Sequence, residues 1–155
     1  MNFYQTLFLL AFAVLNAAFF YKAFLETKHK KNAFGLTRHF FFIGAFVWAD
    51  VIVFSPFWIL ACIAALLLKS WTLFLLILSV FWLVRSIGET IYWFNQQFSP
   101  INRNPVENLP LRSVFHNDSI WFVHQIFWQC VTVTTIITTI YFSFVWIQQL
   151  AAFGM

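Results

Sequence analysis

The chain has 155 residues, of which 62% are hydrophobic, 23% are aromatic and only 9% are charged. Soluble domains carry roughly a quarter charged residues, so this composition excludes an ordinary water-soluble fold and indicates a protein whose sides face lipid. The formal net charge of +4 does not indicate nucleic-acid binding, because the basic residues lie between apolar runs and form no stripe interleaved with aromatic residues.

Four apolar runs exceed the roughly 18 residues that a helix needs to cross the hydrocarbon core of a bilayer. They predict transmembrane helices over about 3–25, 40–67, 71–97 and 119–150, joined by longer loops over about 26–39 and 98–118. The first run has no basic segment before it and no cleavage site after it, so it is interpreted as a retained helix rather than a signal peptide. The sequence therefore predicts one all-α membrane domain over residues 1–155, built as a four-helix bundle.

Lysine and arginine positions predict the orientation, because cytoplasmic loops are enriched in both. The short connection between the second and third predicted helices carries only Lys69. The first and third connections are flanked by seven basic residues: Lys22, Lys28, Lys30, Lys31, Arg38, Arg103 and Arg112. We therefore predict that these two loops are cytoplasmic and that both termini lie outside. The expected location is the bacterial inner membrane or another membrane that faces a cytoplasm.

Apart from Lys22 near the end of the first helix, three charged residues fall inside the predicted helices, namely Asp50, Arg85 and Glu89. A charged side chain at the bilayer centre costs about 2.5–3.5 kcal/mol on insertion scales, so each requires a partner or a hydrated cavity. Arg85 and Glu89 are four residues apart on one helix and can neutralise each other. Asp50 has only apolar residues three and four positions away, and the predicted helix over 40–67 places it near the middle of the membrane. It is therefore interpreted as a protonatable group.

Polar and aromatic residues form one stripe on each of the last two predicted helices, given 100° of rotation per residue. The third helix carries Trp82, Arg85, Glu89, Tyr92 and Gln96, with Ser86 and Trp93 beside them; the fourth carries Trp121, Gln125, Trp128, Thr132, Thr135, Thr139 and Ser143, with His124 and Gln129 beside them. Polar stripes in lipid must face protein or water. We predict a binding site open to the cytoplasm, made of Asp50, Trp82, Arg85, Glu89, Tyr92, Trp93, Gln96, His124, Gln125, Trp128 and Gln129. A purely structural network of interhelical hydrogen bonds is the alternative.

Three functions fit this pattern. The first is a small transporter or channel for an ion or small molecule, which could be coupled to protons or cations; it needs no cofactor or metal and would form a homo-oligomer, since four helices enclose little volume. The second is a redox subunit that binds haem between His39 and His124, or a membrane-embedded enzyme, although no nucleophile or HExxH motif is present. The third is an assembly subunit whose stripes bind partner helices.

Overall fold

The chain folds into four long α-helices. The structure is a computed structural model that describes residues 1–37, 39–101 and 103–152. The helices are α1 (Phe3–Lys30), α2 (Trp48–Leu67), α3 (Trp71–Phe98) and α4 (Ser119–Ala152). Each is long and apolar enough to span a membrane. The described ranges contain no strand, only an isolated antiparallel bridge between Leu36 and Val47, so the all-helical prediction is confirmed.

Helix α1 has well-defined ends. The side chain of Asn2 accepts a hydrogen bond from the backbone N–H of Gln5, and the side chain of Gln5 accepts one from the backbone N–H of Asn2. This reciprocal capping box satisfies two of the donors that a helix start leaves free. At the other end Lys31 adopts a left-handed conformation with φ of 53° and its N–H reaches the carbonyl of Glu26. The helix therefore continues five residues beyond the predicted end at 25, through a basic last turn.

The predicted start of the second helix at residue 40 is wrong, because α2 begins at Trp48. Residues Phe41–Ile43 form a 3₁₀ helix that ends at Gly44 in a left-handed conformation with φ of 79°. The ring of Phe40 lies 4.6 Å from that of Phe19, so this segment runs back alongside α1. The connection thus covers residues 31–47 rather than 26–39. Glycine tolerates a positive φ without a steric cost, which lets the chain turn into α2 here.

The chain forms two compact units, Met1–Ile77 and Leu78–Met155, and the division falls within α3. In the first unit α1 packs against α2 around Trp58, which is fully buried and contacts the rings of Phe12 and Phe74. The indole N–H of Trp58 donates to the carbonyl of Ile43 at 3.1 Å. This bond supplies a donor for a buried carbonyl at the end of the 3₁₀ helix, where an unsatisfied group would cost about 1–3 kcal/mol. The second unit comprises the remainder of α3, the loop and α4.

Candidate functional site

An ion pair lies in the middle of α3. A guanidinium nitrogen of Arg85 is 3.0 Å from a carboxylate oxygen of Glu89, and the two side chains are only 20% and 13% exposed. Arg85 is 14 residues from the start of α3 and 13 from its end, roughly 20 Å from each at 1.5 Å per residue. The four-residue spacing read from the sequence therefore does bring Arg85 and Glu89 into contact. The pair places two opposite charges at the centre of a helix that is otherwise mostly apolar.

Asp50 occupies a different environment from the one predicted. Because α2 begins at Trp48, Asp50 lies in the first turn of that helix and not near its middle. Its carboxylate accepts hydrogen bonds from the backbone N–H groups of Phe46 at 2.9 Å and Val47 at 3.3 Å. The two residues treated as apolar neighbours in the sequence thus supply donors through their backbones. A carboxylate at a helix start is also favoured by the helix dipole, so the geometry explains Asp50 as a capping residue.

The stripes of α3 and α4 contact each other in the second unit. Trp82 stacks on Trp128 with ring centroids 6.4 Å apart and an angle of 13° between the planes. The hydroxyl of Thr132, four residues after Trp128, donates to the hydroxyl of Ser86, four residues after Trp82, at 2.9 Å. Ser86 is completely buried. The two stripes therefore pack directly on each other at these residues.

Closer to the loop, His124 and Trp93 form the next contact. Their ring centroids are 4.5 Å apart with a 31° tilt. The Nδ1 atom of His124 is 2.8 Å from the carbonyl of Ile120; since a carbonyl only accepts, Nδ1 carries a proton. Beside them Gln97 donates to the side-chain oxygen of Gln125 at 2.7 Å. Among the described residues the buried indole nitrogen of Trp93 has no hydrogen-bond acceptor.

A loop residue absent from the sequence prediction, Asn104, ties the ends of both helices together. Its side-chain amide donates to the hydroxyl of Tyr92 and lies 3.5 Å from the side-chain oxygen of Gln96. Its backbone carbonyl accepts from the indole N–H of Trp121 on α4 at 3.0 Å. The amide of Gln96, which is 4% exposed, donates to the carbonyl of Ile101. The loop is therefore fixed over this end of the α3–α4 stripe.

Gln129 lies apart from these contacts. It is exposed and lines a shallow groove of about 250 Å³ on the side of the helix pair. The groove is otherwise mostly apolar and is lined by Ile87, Thr90, Ile91, Gln129, Thr132 and Val133. Of the residues predicted to bind a ligand, only Gln129 belongs to this lining, and the groove meets the α3–α4 contacts described above at Thr132.

His39 does not lie on a helix. It is exposed in a turn before the 3₁₀ segment, whereas His124 is on α4. The two histidines considered for haem therefore do not both lie on helices. No group of three His, Cys, Asp or Glu side chains able to hold a metal occurs within residues 1–37, 39–101 and 103–152.

By its fold, the chain is an all-helical protein with four helices long and apolar enough to cross a membrane. No protein-family model, curated protein or solved structure matches it. The chemistry of its candidate site therefore rests on the arrangement of its own residues: an ion pair within α3, a line of aromatic and hydroxyl contacts between α3 and α4, and a loop anchored over one end.

Proposed function

We propose that this protein is a small polytopic membrane transporter or channel whose polar site lies along α3 and α4. Glu89 is the protonatable or cation-binding group, and Arg85 is its counter-charge. Trp82, Trp93 and Trp128 form the aromatic lining, and the end held by Asn104 faces the cytoplasm. Several copies of the chain assemble to enclose the pathway, because one protomer offers little interior volume. The transported species is a small ion or a small molecule.

The observation that carries this proposal is the Arg85–Glu89 pair at the centre of α3. Ionisable residues within membrane-spanning segments are costly and commonly mark ion or proton pathways. The buried N–H of Trp93, one helical turn from Glu89, adds a donor suited to a polar substrate. Asp50 is not included among the ion-binding groups, because its bonds to the backbone at the start of α2 account for its position.

The proposed orientation places the termini outside and the two basic connections in the cytoplasm, by the distribution of Lys and Arg. Trypsin tests it on membrane vesicles. In vesicles with the cytoplasmic side exposed, we expect cleavage after Arg103 and Arg112, both of which are exposed in the loop before α4. Trypsin applied from outside should cut after Lys69, which is exposed between α2 and α3. Cleavage at Arg103 from outside would reverse the proposed orientation.

The transport proposal is tested by flux into proteoliposomes, with protons and radioactive sodium as the two probes. We expect the wild-type protein to pass at least one of them and Glu89→Gln to reduce that flux to the level of protein-free liposomes. The substitution removes the charge while keeping the shape of the side chain. Flux is measured with and without an imposed pH gradient, which separates proton coupling from simple cation passage.

Two control variants make this result specific. Glu26 forms an ion pair with Lys30 at the same spacing, but in the basic last turn of α1, where the Lys30 side chain is 68% exposed. Glu26→Gln should therefore leave flux unchanged, and so should Asp50→Asn, because asparagine can still accept a hydrogen bond at the helix start. Flux that survives Glu89→Gln would contradict the role of Glu89, and a wild-type protein that passes neither probe would contradict a proton or cation pathway.

An assembly subunit is the second candidate, and α4 favours it. Within this helix an apolar stretch of 18 residues has no buried residue, so its large side chains are free to meet lipid or partner helices. Exposed members include Ile136, Ile137, Ile140, Tyr141 and Phe144. A subunit of this kind should aggregate in mild detergent unless its partners are purified with it. A single monodisperse species of the chain alone would favour the transporter.

A further inference from the structure

Two polar side chains of the first unit are completely buried, Asn16 on α1 and Ser55 on α2. The side-chain nitrogen of Asn16 donates to the carbonyl of Phe12 at 2.8 Å, which fixes the orientation of the amide. Among the described residues, the amide oxygen of Asn16 and the hydroxyl of Ser55 have no hydrogen-bond partner. An unsatisfied buried polar group costs about 1–3 kcal/mol, so two such atoms in one helix pair require an explanation.

The packing of α1 on α2 brings these residues to the same level. The ring of Phe12 lies 5.7 Å from that of Trp58, and the amino group of Lys22 lies 5.5 Å from the centre of the Trp48 ring. The helices are therefore antiparallel, and each step along α1 matches one step back along α2. Asn16 is four residues after Phe12, and Ser55 is three residues before Trp58. The two buried polar residues are therefore close to opposite each other.

A third polar group lies at this level because of Pro56, which is inside α2. Proline has no N–H, so the helical donor to the carbonyl four residues earlier, that of Ile52, is missing. Ile52 and Ser55 are three residues apart and thus occupy neighbouring positions on the helix surface. Carbonyls freed by proline in apolar helices are commonly satisfied by hydroxyl side chains or ordered water.

We propose that a single water molecule binds between α1 and α2 at this point. It donates one proton to the amide oxygen of Asn16 and the other to the carbonyl of Ile52, and it accepts the hydroxyl proton of Ser55. Two acceptors and one hydroxyl donor match the bonding capacity of water, and buried waters typically make about three hydrogen bonds. A bare cation fits this set less well, because no carboxylate is among the three groups and the Ser55 proton would gain no acceptor.

The site has a structural consequence for the first unit. A polar residue at one position of an otherwise apolar helix interface specifies the register of the two helices, because any slip leaves polar groups without partners. The bound water thus stabilises one register of α1 against α2 at the level of Pro56. This inference concerns Met1–Ile77 and does not depend on the function proposed for α3 and α4.

The experiment uses full-length protein in detergent micelles with nitrogen-15 in its asparagines. Magnetisation transfer from water to the Asn16 side-chain amide is measured; Asn95, exposed on α3, gives the reference for bulk water. We expect a cross-peak from a long-lived water in the wild type. It should persist in Ser55→Ala, where Asn16 and Ile52 still hold the water, and disappear in Ser55→Val, where two added methyl groups displace it.

Each other outcome overturns the proposal. No long-lived cross-peak in the wild type would mean that the three groups bond to one another or remain unsatisfied. A cross-peak lost in Ser55→Ala would assign the signal to the serine hydroxyl rather than to water, and one retained in Ser55→Val would place the water elsewhere. A melting temperature that is higher in sodium chloride than in choline chloride of equal ionic strength would assign the site to a cation. Circular dichroism confirms that each variant retains its helices.

Discussion

Arg85→Ala is expected to lower the free energy of unfolding in detergent by about 3 kcal/mol or more, while the double variant Arg85→Ala/Glu89→Gln should lose about 1 kcal/mol or less. The single substitution removes the guanidinium that lies 3.0 Å from the Glu89 carboxylate and leaves that charge in a mostly apolar environment. The double substitution removes both charges. The single variant Arg85→Ala should therefore be less stable than the double variant, as measured by melting temperature and by denaturant titration.

The pair between Glu26 and Lys30 provides the matched control. It has the same four-residue spacing and a shorter distance, 2.6 Å, and Glu26 is 17% exposed, but Lys30 is 68% exposed and the pair lies at the end of α1 beside Lys28 and His29. Exposed ion pairs contribute about 0–1 kcal/mol, so Lys30→Ala should change stability very little. If Arg85→Ala and the double variant melt at the same temperature, the two residues are not energetically coupled, and the ion pair cannot act as the charge-balancing element of the proposed site.

The bounds of two of the four helices could be predicted closely from apolar run lengths, because a run of more than about 18 apolar residues has few alternatives. Helix α3 was expected over 71–97 and covers Trp71–Phe98, while α4 was expected over 119–150 and covers Ser119–Ala152. The exact start of α2 could not be predicted in this way. The run from Phe40 to Trp48 is continuously apolar, and hydropathy does not distinguish an α-helix from a 3₁₀ turn that packs against a neighbouring helix. Gly44 was the one local signal of the break.

The interpretation of Asp50 depended on where α2 begins. With a helix beginning at residue 40, Asp50 would lie near mid-membrane; with α2 beginning at Trp48, it becomes a first-turn residue bonded to two backbone N–H groups. Periodicity specifies the face of a helix that a residue occupies, but depth requires knowing where the helix begins. The position of an isolated charge is therefore the least secure part of a prediction based on sequence periods.

Periodicity was more informative for α3 and α4, because both helices are regular throughout the stripe. Trp82 and Trp128 were predicted to share a site, and their rings stack. The hydrogen bond between Gln97 and Gln125 was missed, since Gln97 lies outside the predicted sector, and so was Asn104, since a loop has no period from which to infer contacts. A long side chain at the edge of a stripe can reach the neighbouring helix, and the rotation per residue alone does not predict such a contact.

Trp58→Ala should destabilise the first unit by about 3–5 kcal/mol, the range for removing a large buried aromatic side chain. Trp58 is completely buried, its ring contacts Phe12 and Phe74, and its N–H donates to the carbonyl of Ile43. The substitution therefore creates a cavity and also removes the donor of a buried carbonyl in the connection before α2. We expect the melting temperature to fall and the connection to become susceptible to proteolysis.

Trp58→Phe separates the two contributions. Phenylalanine retains most of the ring packing but has no N–H, so the carbonyl of Ile43 loses its partner at a cost of about 1–3 kcal/mol. Because that bond joins the 3₁₀ segment to the middle of α2, hydrogen exchange should accelerate at Ile43 to Ala45 more than along α2 itself. Leu60→Ala, two positions along α2 at a side chain that is 66% exposed, is the control and should leave both readouts unchanged. Equal protection of residues 43–45 in Trp58→Phe and the wild type would show that packing alone, and not the indole hydrogen bond, holds this connection against the helices.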